Sequence, residues 1–224
     1  MHTVNAKNRG YYKIEGAVSA FNFDFRDKVV LDIGSSTGGF TEIALEHGAV
    51  KVIAVEKGTN QMKRPLRYDP RIELHEKTDI FDTRISKASS EGDPQSLRGL
   101  SDEPREDGHE ERPEEDSLLI LTNVPDVIVA DVSFISLAKI LKHSKDYLSN
   151  KNTSFLVMLK PQFEARQDQL NKGVVKNEKI RREIIKNFET WLKQNGFIIV
   201  KKRDNDLPGK NGNLERFYWL TLSN

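Results

Sequence analysis

Short runs of β-branched and other apolar residues recur along this chain and alternate with amphipathic stretches. Consecutive apolar positions indicate strands that are buried on both faces, as in parallel sheets. This rhythm predicts an α/β fold, a mostly parallel sheet with helices on both faces. Buried strands are predicted at Val29 to Ile33, Val50 to Val55, Val127 to Ala130, Phe155 to Leu159 and Phe197 to Val200.

Helices and two further strands complete the predicted domain. The helices are predicted at Gly39 to His47, Leu137 to Leu148 and Glu178 to Gln194. The additional strands are predicted at Ile72 to His75 and, after a tight turn, at Arg216 to Leu222. Because 224 residues suffice for one sizeable domain but not for two of ordinary size, we predict a single domain over residues 1–224.

Residues 84–117 depart from this pattern. They are rich in Ser, Gly, Pro, Asp and Glu, and they include 11 acidic and 5 basic residues. Few of them can enter a core, so we expect a mobile acidic insertion without a catalytic role, lying away from any nucleic-acid groove. The rest of the chain then holds 30 basic and 23 acidic residues and is moderately basic.

Composition excludes several classes of function. The chain has no cysteine, which rules out disulfides, a thiol nucleophile and a cysteine-ligated metal site, and we predict no metal. The first ten residues, MHTVNAKNRG, lack an apolar signal-peptide core, and no run approaches the roughly 20 apolar residues of a membrane span. We therefore expect a soluble protein of the cytoplasm without a membrane partner.

A glycine-rich turn, DIGSSTGGF, follows the first predicted strand. Its glycines allow a sharp turn and a close approach of the backbone to a ligand at the start of a helix. The spacing GxxxGG differs from the GxGxxG of dinucleotide-binding proteins and from the GK[ST] of phosphate loops, which disfavours a nicotinamide oxidoreductase. A nucleoside-bearing ligand is favoured over a turn that merely joins strand to helix. The predicted ligand-binding residues are Asp32, Gly34, Ser35, Ser36, Thr37, Gly38, Gly39 and Phe40.

Four further polar residues follow predicted strands. Glu56 ends the second strand, where a carboxylate can accept hydrogen bonds from both ribose hydroxyls. Asp79 is placed to contact an adenine amino group, or else is a simple turn or cap residue. Asp131 and Lys160 end two later strands, and the carboxyl ends of parallel strands line the ligand crevice. Both side chains are therefore expected to face the bound cofactor.

The chain resembles the TlyA-type, FtsJ-like RNA methyltransferases, some of which are called haemolysins. The resemblance rests on DIGSSTGGF, ADVSFISL, KPQFE, NKGVV and GNLE, in that order, and covers nearly the whole chain apart from the acidic insertion. It implies a Rossmann-like methyltransferase fold with one antiparallel C-terminal strand. It also implies S-adenosyl-L-methionine as cofactor and ribose 2′-hydroxyls of RNA as substrate, with cytidines of ribosomal RNA or a ribosomal subunit as the known class.

The resemblance also assigns a catalytic tetrad to Lys13, Asp131, Lys160 and Glu215. A ribose hydroxyl is a poor nucleophile, and a free lysine, with a pKa of about 10.4, does not accept its proton at neutral pH. Our hypothesis is that Lys160 is the proton acceptor, with its charged form disfavoured by Lys13 and by partial desolvation. Asp131 and Glu215 would orient the two lysines.

RNA contacts and departures from the family complete the expectations. Basic residues near the mouth of the site could meet phosphates, namely Lys7, Arg9, Lys172, Lys176 and Lys210, whereas Arg181, Arg182 and Lys201 to Arg203 are expected to be solvated surface residues. Family members usually carry a small RNA-binding domain before the methyltransferase, and this chain starts almost directly at the catalytic helix. A non-catalytic binding module therefore remains an alternative, and the family's older name leaves a membrane-active haemolysin as a less favoured one.

Overall fold

The computed structural model describes residues 7–86, 118–209 and 212–223. Nearly all of the predicted acidic insertion lies outside these residues. In chain order the strands are β1 (Val29–Ile33), β2 (Lys51–Glu56), β3 (Ile72–Glu76), β4 (Thr83–Ile85), β5 (Leu119–Leu121), β6 (Val127–Ala130), β7 (Ser154–Leu159), β8 (Phe197–Asp204) and β9 (Arg216–Leu222). The α-helices are α1 (Arg9–Phe21), α2 (Gly39–Glu46), α3 (Leu137–Tyr147), α4 (Pro161–Glu164) and α5 (Glu178–Gln194).

Seven of the strands form one sheet, in the order β3-β2-β1-β6-β7-β9-β8. Neighbouring strands are parallel except at β9, which runs antiparallel to both β7 and β8. This confirms the predicted mostly parallel sheet with one antiparallel C-terminal strand. Strands β4 and β5 pair with each other in a separate parallel sheet.

Helices cover both faces of the large sheet because its central strands carry buried apolar side chains on both faces. In β7, Leu156 and Met158 belong to the core beneath α1 and α2, whereas Phe155, Val157 and Leu159 belong to the core beneath α3 and α5. All five side chains are buried. In the described part of the chain, no helix combines the length and apolar character needed to cross a lipid bilayer.

Strand β8 differs from its prediction. A buried strand was expected from Phe197 to Val200, but β8 continues to Asp204 and only Phe197 of its residues is buried. The strand lies at the edge of the sheet, so its side chains meet fewer neighbours than those of a central strand. The apolar run alone does not distinguish an edge strand from a central one.

Candidate active site

Asp131 and Lys160 come together at the carboxyl edge of the sheet. Asp131 directly follows β6 and Lys160 directly follows β7, and these two strands are parallel neighbours. The Lys160 ammonium lies 2.6 Å from Asp131 Oδ1 and donates a hydrogen bond of 2.8 Å to Ser133 Oγ. Both side chains of the ion pair are largely shielded, with 11% of Lys160 and 23% of Asp131 exposed.

Lys13 and Glu215 form a second, more deeply buried pair. Lys13 lies in α1, Glu215 immediately precedes β9, and Lys13 Nζ is 2.5 Å from Glu215 Oε2. Only 9% of the Lys13 side chain and 3% of the Glu215 side chain are exposed. The neighbouring turn fits closely around the carboxylate, since a Cβ atom on Gly209 would lie 2.8 Å from Glu215 Oε1.

One cavity connects the two ion pairs. It has a volume of about 200 Å³ and receives Lys13 from one pair and Asp131 from the other. The rest of its wall comes from the first turn of α1 and from the turn after β1, namely Asn8, Arg9, Gly10, Gly34, Ser35, Ser36, Thr37, Gly39 and Phe40. Six of the eight turn residues predicted to bind the cofactor thus line the same cavity as two members of the tetrad.

The other predicted cofactor residues support this cavity without lining it. Asp32 is fully buried in β1, and its Oδ2 accepts a hydrogen bond of 2.6 Å from Thr41 Oγ1. Burial raises the pKa of Asp32 to about 7, although the Thr41 hydrogen bond acts in the opposite direction. Gly38 adopts φ 89° as the N-cap of α2, a conformation that disfavours residues with a side chain.

Glu56 and Asp79 lie beyond the turn. Glu56 Oε2 accepts a hydrogen bond of 2.9 Å from Ser36 N, and its Oε1 accepts bonds of 2.7 Å from Gly58 N and 3.2 Å from Gln61 Nε2. Asp79 caps a short 3₁₀ helix through Phe81 N and pairs with Lys57 at 2.9 Å. The cap role that the sequence left open for Asp79 is therefore present.

Gly39 joins the cofactor turn to the helix that carries Lys13. A Cβ atom built on Gly39 would lie 2.6 Å from Tyr11 N and 2.9 Å from Gly10 C, both backbone atoms of α1. The second glycine of the GG pair is thus required by helix packing, where the sequence suggested only an approach to ligand. This contact positions the first turn of α1 beside the cavity.

Gly39→Ala is expected to destabilise the fold by about 1–3 kcal/mol, the usual cost of overpacking. It should also weaken cofactor binding, because α1 must move away from α2 and thereby deform the cavity. Urea unfolding and titration calorimetry with S-adenosylmethionine, the cofactor that the family resemblance implies, measure both effects. Gly16→Ala is the matched control within α1: its Cβ would make an ordinary contact of 3.4 Å with Asp206 Oδ2, and helix propensity favours alanine by about 1 kcal/mol. Equal behaviour of the two variants would contradict the packing role.

Two side chains of strand β8 donate hydrogen bonds to backbone carbonyl groups of α1. Lys201 Nζ donates to Phe21 O at 2.7 Å, and Arg203 Nη1 donates to Gly16 O at 2.8 Å.

Arg181 is buried and pairs with Asp204 at 2.7 Å. The expectation of a solvated surface residue is therefore wrong for Arg181. Lys201 and Arg203 also have structural partners, which the sequence did not reveal.

Of the basic residues expected near RNA, two have partners within the protein and two are exposed. Lys7 pairs with Glu42 at 2.7 Å and also with Glu46, while Arg9 donates to Pro208 O. Lys172 lies within the NKGVV segment and Lys176 directly follows it, and both are exposed. Lys210 lies outside the described residues.

Sequence reasoning missed Phe134. Its side chain is 92% exposed and its backbone has φ 64°, a left-handed conformation that is unusual for an aromatic residue. Its ring centroid lies 5.2 Å from that of Phe163, whose ring faces Lys160 Nζ at 6.0 Å. Phe134 lies within the ADVSFISL motif, but nothing in the apolar pattern distinguishes its ring from a core residue.

The strand order and the glycine turn define a Rossmann-like fold of the kind that methyltransferases adopt. The magnesium protoporphyrin IX methyltransferase of Synechocystis PCC 6803, solved with bound SAH, shares this fold at a TM-score of 0.55 and 12% identity, over 100% of this chain and 90% of that one. At that identity the likeness concerns the fold alone.

The chain belongs to the FtsJ-like methyltransferase family, whose model matches residues 6–222. It is 32% identical to the 16S/23S rRNA (cytidine-2′-O)-methyltransferase TlyA of Mycobacterium tuberculosis over 214 residues, which are 95% of this chain and 67% of that protein. A solved structure from Lactococcus lactis that bears the name hemolysin is 28% identical, with a TM-score of 0.77, over 98% of this chain and 89% of that one.

Proposed function

We propose that this chain transfers a methyl group from S-adenosylmethionine to a ribose 2′-hydroxyl of ribosomal RNA, on a cytidine, in the cytoplasm. The observation that carries the proposal is the pair of lysine–carboxylate contacts, Lys13–Glu215 and Lys160–Asp131, which contribute one residue each to a single cavity. Membership in the FtsJ-like family and the relative named as an rRNA (cytidine-2′-O)-methyltransferase support the reaction and the substrate.

The cavity residues fit the proposed cofactor. Ser35 Oγ is buried, lies in the cavity wall and has no hydrogen-bond partner among the described residues, so a polar ligand group would satisfy it. Gly34 adopts φ 75° and packs against the Asp131 backbone, which keeps the turn close to the end of β6. Glu56 would accept the ribose hydroxyls, in place of its present contact with Gln61.

Lys160 and Asp131 would handle the proton. When bound, S-adenosylmethionine supplies an electrophilic methyl group on a sulfonium. Lys160 in its neutral form would accept the proton that the ribose hydroxyl gives up when it is methylated. Asp131, 2.6 Å away, stabilises the ammonium that results, and Ser133 Oγ fixes its direction.

Lys13 and Glu215 would orient rather than react. Their pair is buried more deeply than the Lys160 pair, and only Lys13 of the two lines the cavity. A fixed ammonium at this point can hold a polar group of the substrate in line with the methyl donor, and positioning of this kind accounts for a large share of a bimolecular rate enhancement.

Phe134 supports a nucleotide as the substrate. An exposed ring beside the Lys160 pair offers a face on which a base can stack, and aromatic stacking is a common way to hold unpaired RNA bases. The left-handed backbone at this residue costs on the order of 1–3 kcal/mol, which is typical of functional sites.

Transfer of labelled methyl from S-adenosylmethionine tests this function directly. We expect incorporation into ribosomal RNA or into isolated ribosomal subunits, located by the resistance of a 2′-O-methylated linkage to alkaline hydrolysis. Alkali releases a base-methylated nucleotide as a mononucleotide. Label found in mononucleotides, and absent from the alkali-resistant dinucleotides, would therefore overturn the ribose assignment. No incorporation into any RNA, despite measurable cofactor binding, would favour a non-catalytic binding module.

A further inference from the structure

Residues 57–71 connect β2 to β3 and carry an exposed basic surface beside the cofactor turn. The segment is anchored from within: Met62 is 3% exposed, and the Leu66 side chain packs against Gly38. Arg67 pairs with Glu76 at 2.6 Å and fastens the segment to β3. Its outer residues are therefore presented from a fixed backbone.

Three of these outer residues form what we call the Tyr68 patch, which consists of Lys63, Arg64 and Tyr68. All three are exposed, and Tyr68 is 62% exposed. The guanidinium carbon of Arg64 lies 5.1 Å from the centroid of the Tyr68 ring, which is a cation–π arrangement. Exposed tyrosines can be incidental, but one that is stacked with an arginine has a defined orientation.

The charge of the patch is not neutralised. The nearby carboxylates have other partners: Glu76 pairs with Arg67, and Asp69 pairs with Arg71 at 2.7 Å. Within residues 7–86, 118–209 and 212–223, no carboxylate lies at ion-pair distance from Lys63 or Arg64. A surface with two uncompensated cations and an oriented aromatic ring matches the chemistry of a nucleic-acid strand, in which phosphates alternate with planar bases.

We propose that the Tyr68 patch is a second contact surface for the RNA substrate, separate from the tetrad, and that it binds an unpaired stretch of the strand. A base would stack on the Tyr68 and Arg64 pair, and Lys63 and Arg64 would meet the adjoining phosphates. The inference rests on the proposed function for the identity of the strand as RNA. The contact of Leu66 with Gly38 keeps the patch next to the turn that lines the cofactor cavity, so one strand can reach both.

RNA binding measured without methyl transfer tests this surface. We expect Tyr68→Leu to weaken binding of a short, fluorescein-labelled single-stranded RNA by roughly 5- to 100-fold, the effect of losing one stacked base, and Tyr68→Trp to retain affinity. The double substitution Lys63→Ala with Arg64→Ala should lower the slope of log affinity against log salt by about 1 to 2. Fluorescence anisotropy over a range of salt concentrations gives both quantities.

The chain offers a matched control. Tyr147 is 40% exposed, and the Arg84 guanidinium lies 4.0 Å from its ring centroid, but it ends α3, the helix that connects β6 to β7. Tyr147→Leu should leave RNA affinity unchanged. Wild-type affinity in Tyr68→Leu would overturn the proposal, as would equal losses in Tyr68→Leu and Tyr68→Trp. If only the double substitution of Lys63 and Arg64 changed RNA binding, through its salt slope, the patch would be an electrostatic surface without a stacked base. That result would also overturn the proposal.

The same variants separate this inference from the proposed function. At saturating ribosomal RNA, Tyr68→Leu should transfer methyl at the wild-type rate and show its loss only in KM. A wild-type chain that transfers no methyl but loses RNA affinity in Tyr68→Leu would remove the proposed function and leave the patch. If the wild-type chain transfers methyl and Tyr68→Leu leaves the KM unchanged, the proposed function would stand and the role of the Tyr68 patch would fall.

Discussion

Replacing Lys160 with alanine is expected to lower methyl transfer to ribosomal RNA by about 10²- to 10⁴-fold, the range that a positioned general base contributes. Among the described residues, Lys160 is the only lysine that pairs with Asp131, at 2.6 Å. Ser133 Oγ accepts a hydrogen bond from the same ammonium and so fixes it from a second direction. Cofactor affinity should stay within a few-fold of wild type, because Lys160 does not line the cavity formed by the glycine turn. Single-turnover transfer and calorimetry with S-adenosylmethionine give the two values separately.

Lys160→Arg distinguishes a base from a mere counter-charge. Arginine keeps the positive charge beside Asp131 but does not lose its proton in proteins, so it preserves the ion pair and abolishes proton acceptance. We expect this variant to be as inactive as Lys160→Ala and as stable as wild type. Lys139→Ala, an exposed lysine on α3, controls for general loss of positive charge. Transfer by Lys160→Arg at more than about a tenth of the wild-type rate would contradict the assignment of Lys160 as proton acceptor.

The position of Asp131 and Lys160 could be predicted because it depends on local pattern. Each residue is the first polar position after a run of apolar residues, and parallel strands bring their carboxyl ends to one edge of the sheet. The predicted bounds of β6 and β9 agree with the structure to the residue. Central strands are buried on both faces, so their apolar runs have sharp ends.

The contact between Lys13 and Glu215 is not contained in any local pattern. It depends on where α1 crosses the sheet, which is set by Gly39 of α2 and by Lys201 and Arg203 of β8. Family resemblance supplied both residues, but only tertiary structure gives their distance and burial. The exposed position of Phe134 was not predicted because its local pattern is misleading: an aromatic residue inside an apolar motif is usually a core residue.

Glu215→Met is expected to lower the free energy of unfolding by about 3–5 kcal/mol, the cost of leaving one member of a buried ion pair without its partner. Lys13 would be left without its partner in a site where only 9% of its side chain is exposed. Lys13→Met should cost a similar amount, because it leaves the Glu215 carboxylate unpaired in turn. Both single variants should also lose methyl transfer, so activity alone does not reveal whether the pair is structural or catalytic.

The double variant Lys13→Met with Glu215→Met resolves this ambiguity. Two apolar side chains of similar volume remove both buried charges, and such replacements are often neutral or stabilising. We therefore expect the double variant to regain most of the stability lost by either single variant, measured by urea unfolding, while methyl transfer stays absent. Recovery of transfer together with stability would show that Lys13 and Glu215 only support the fold. Additive stability losses would mean that the two charges do not interact, since only contacting residues show a coupling energy in such a cycle.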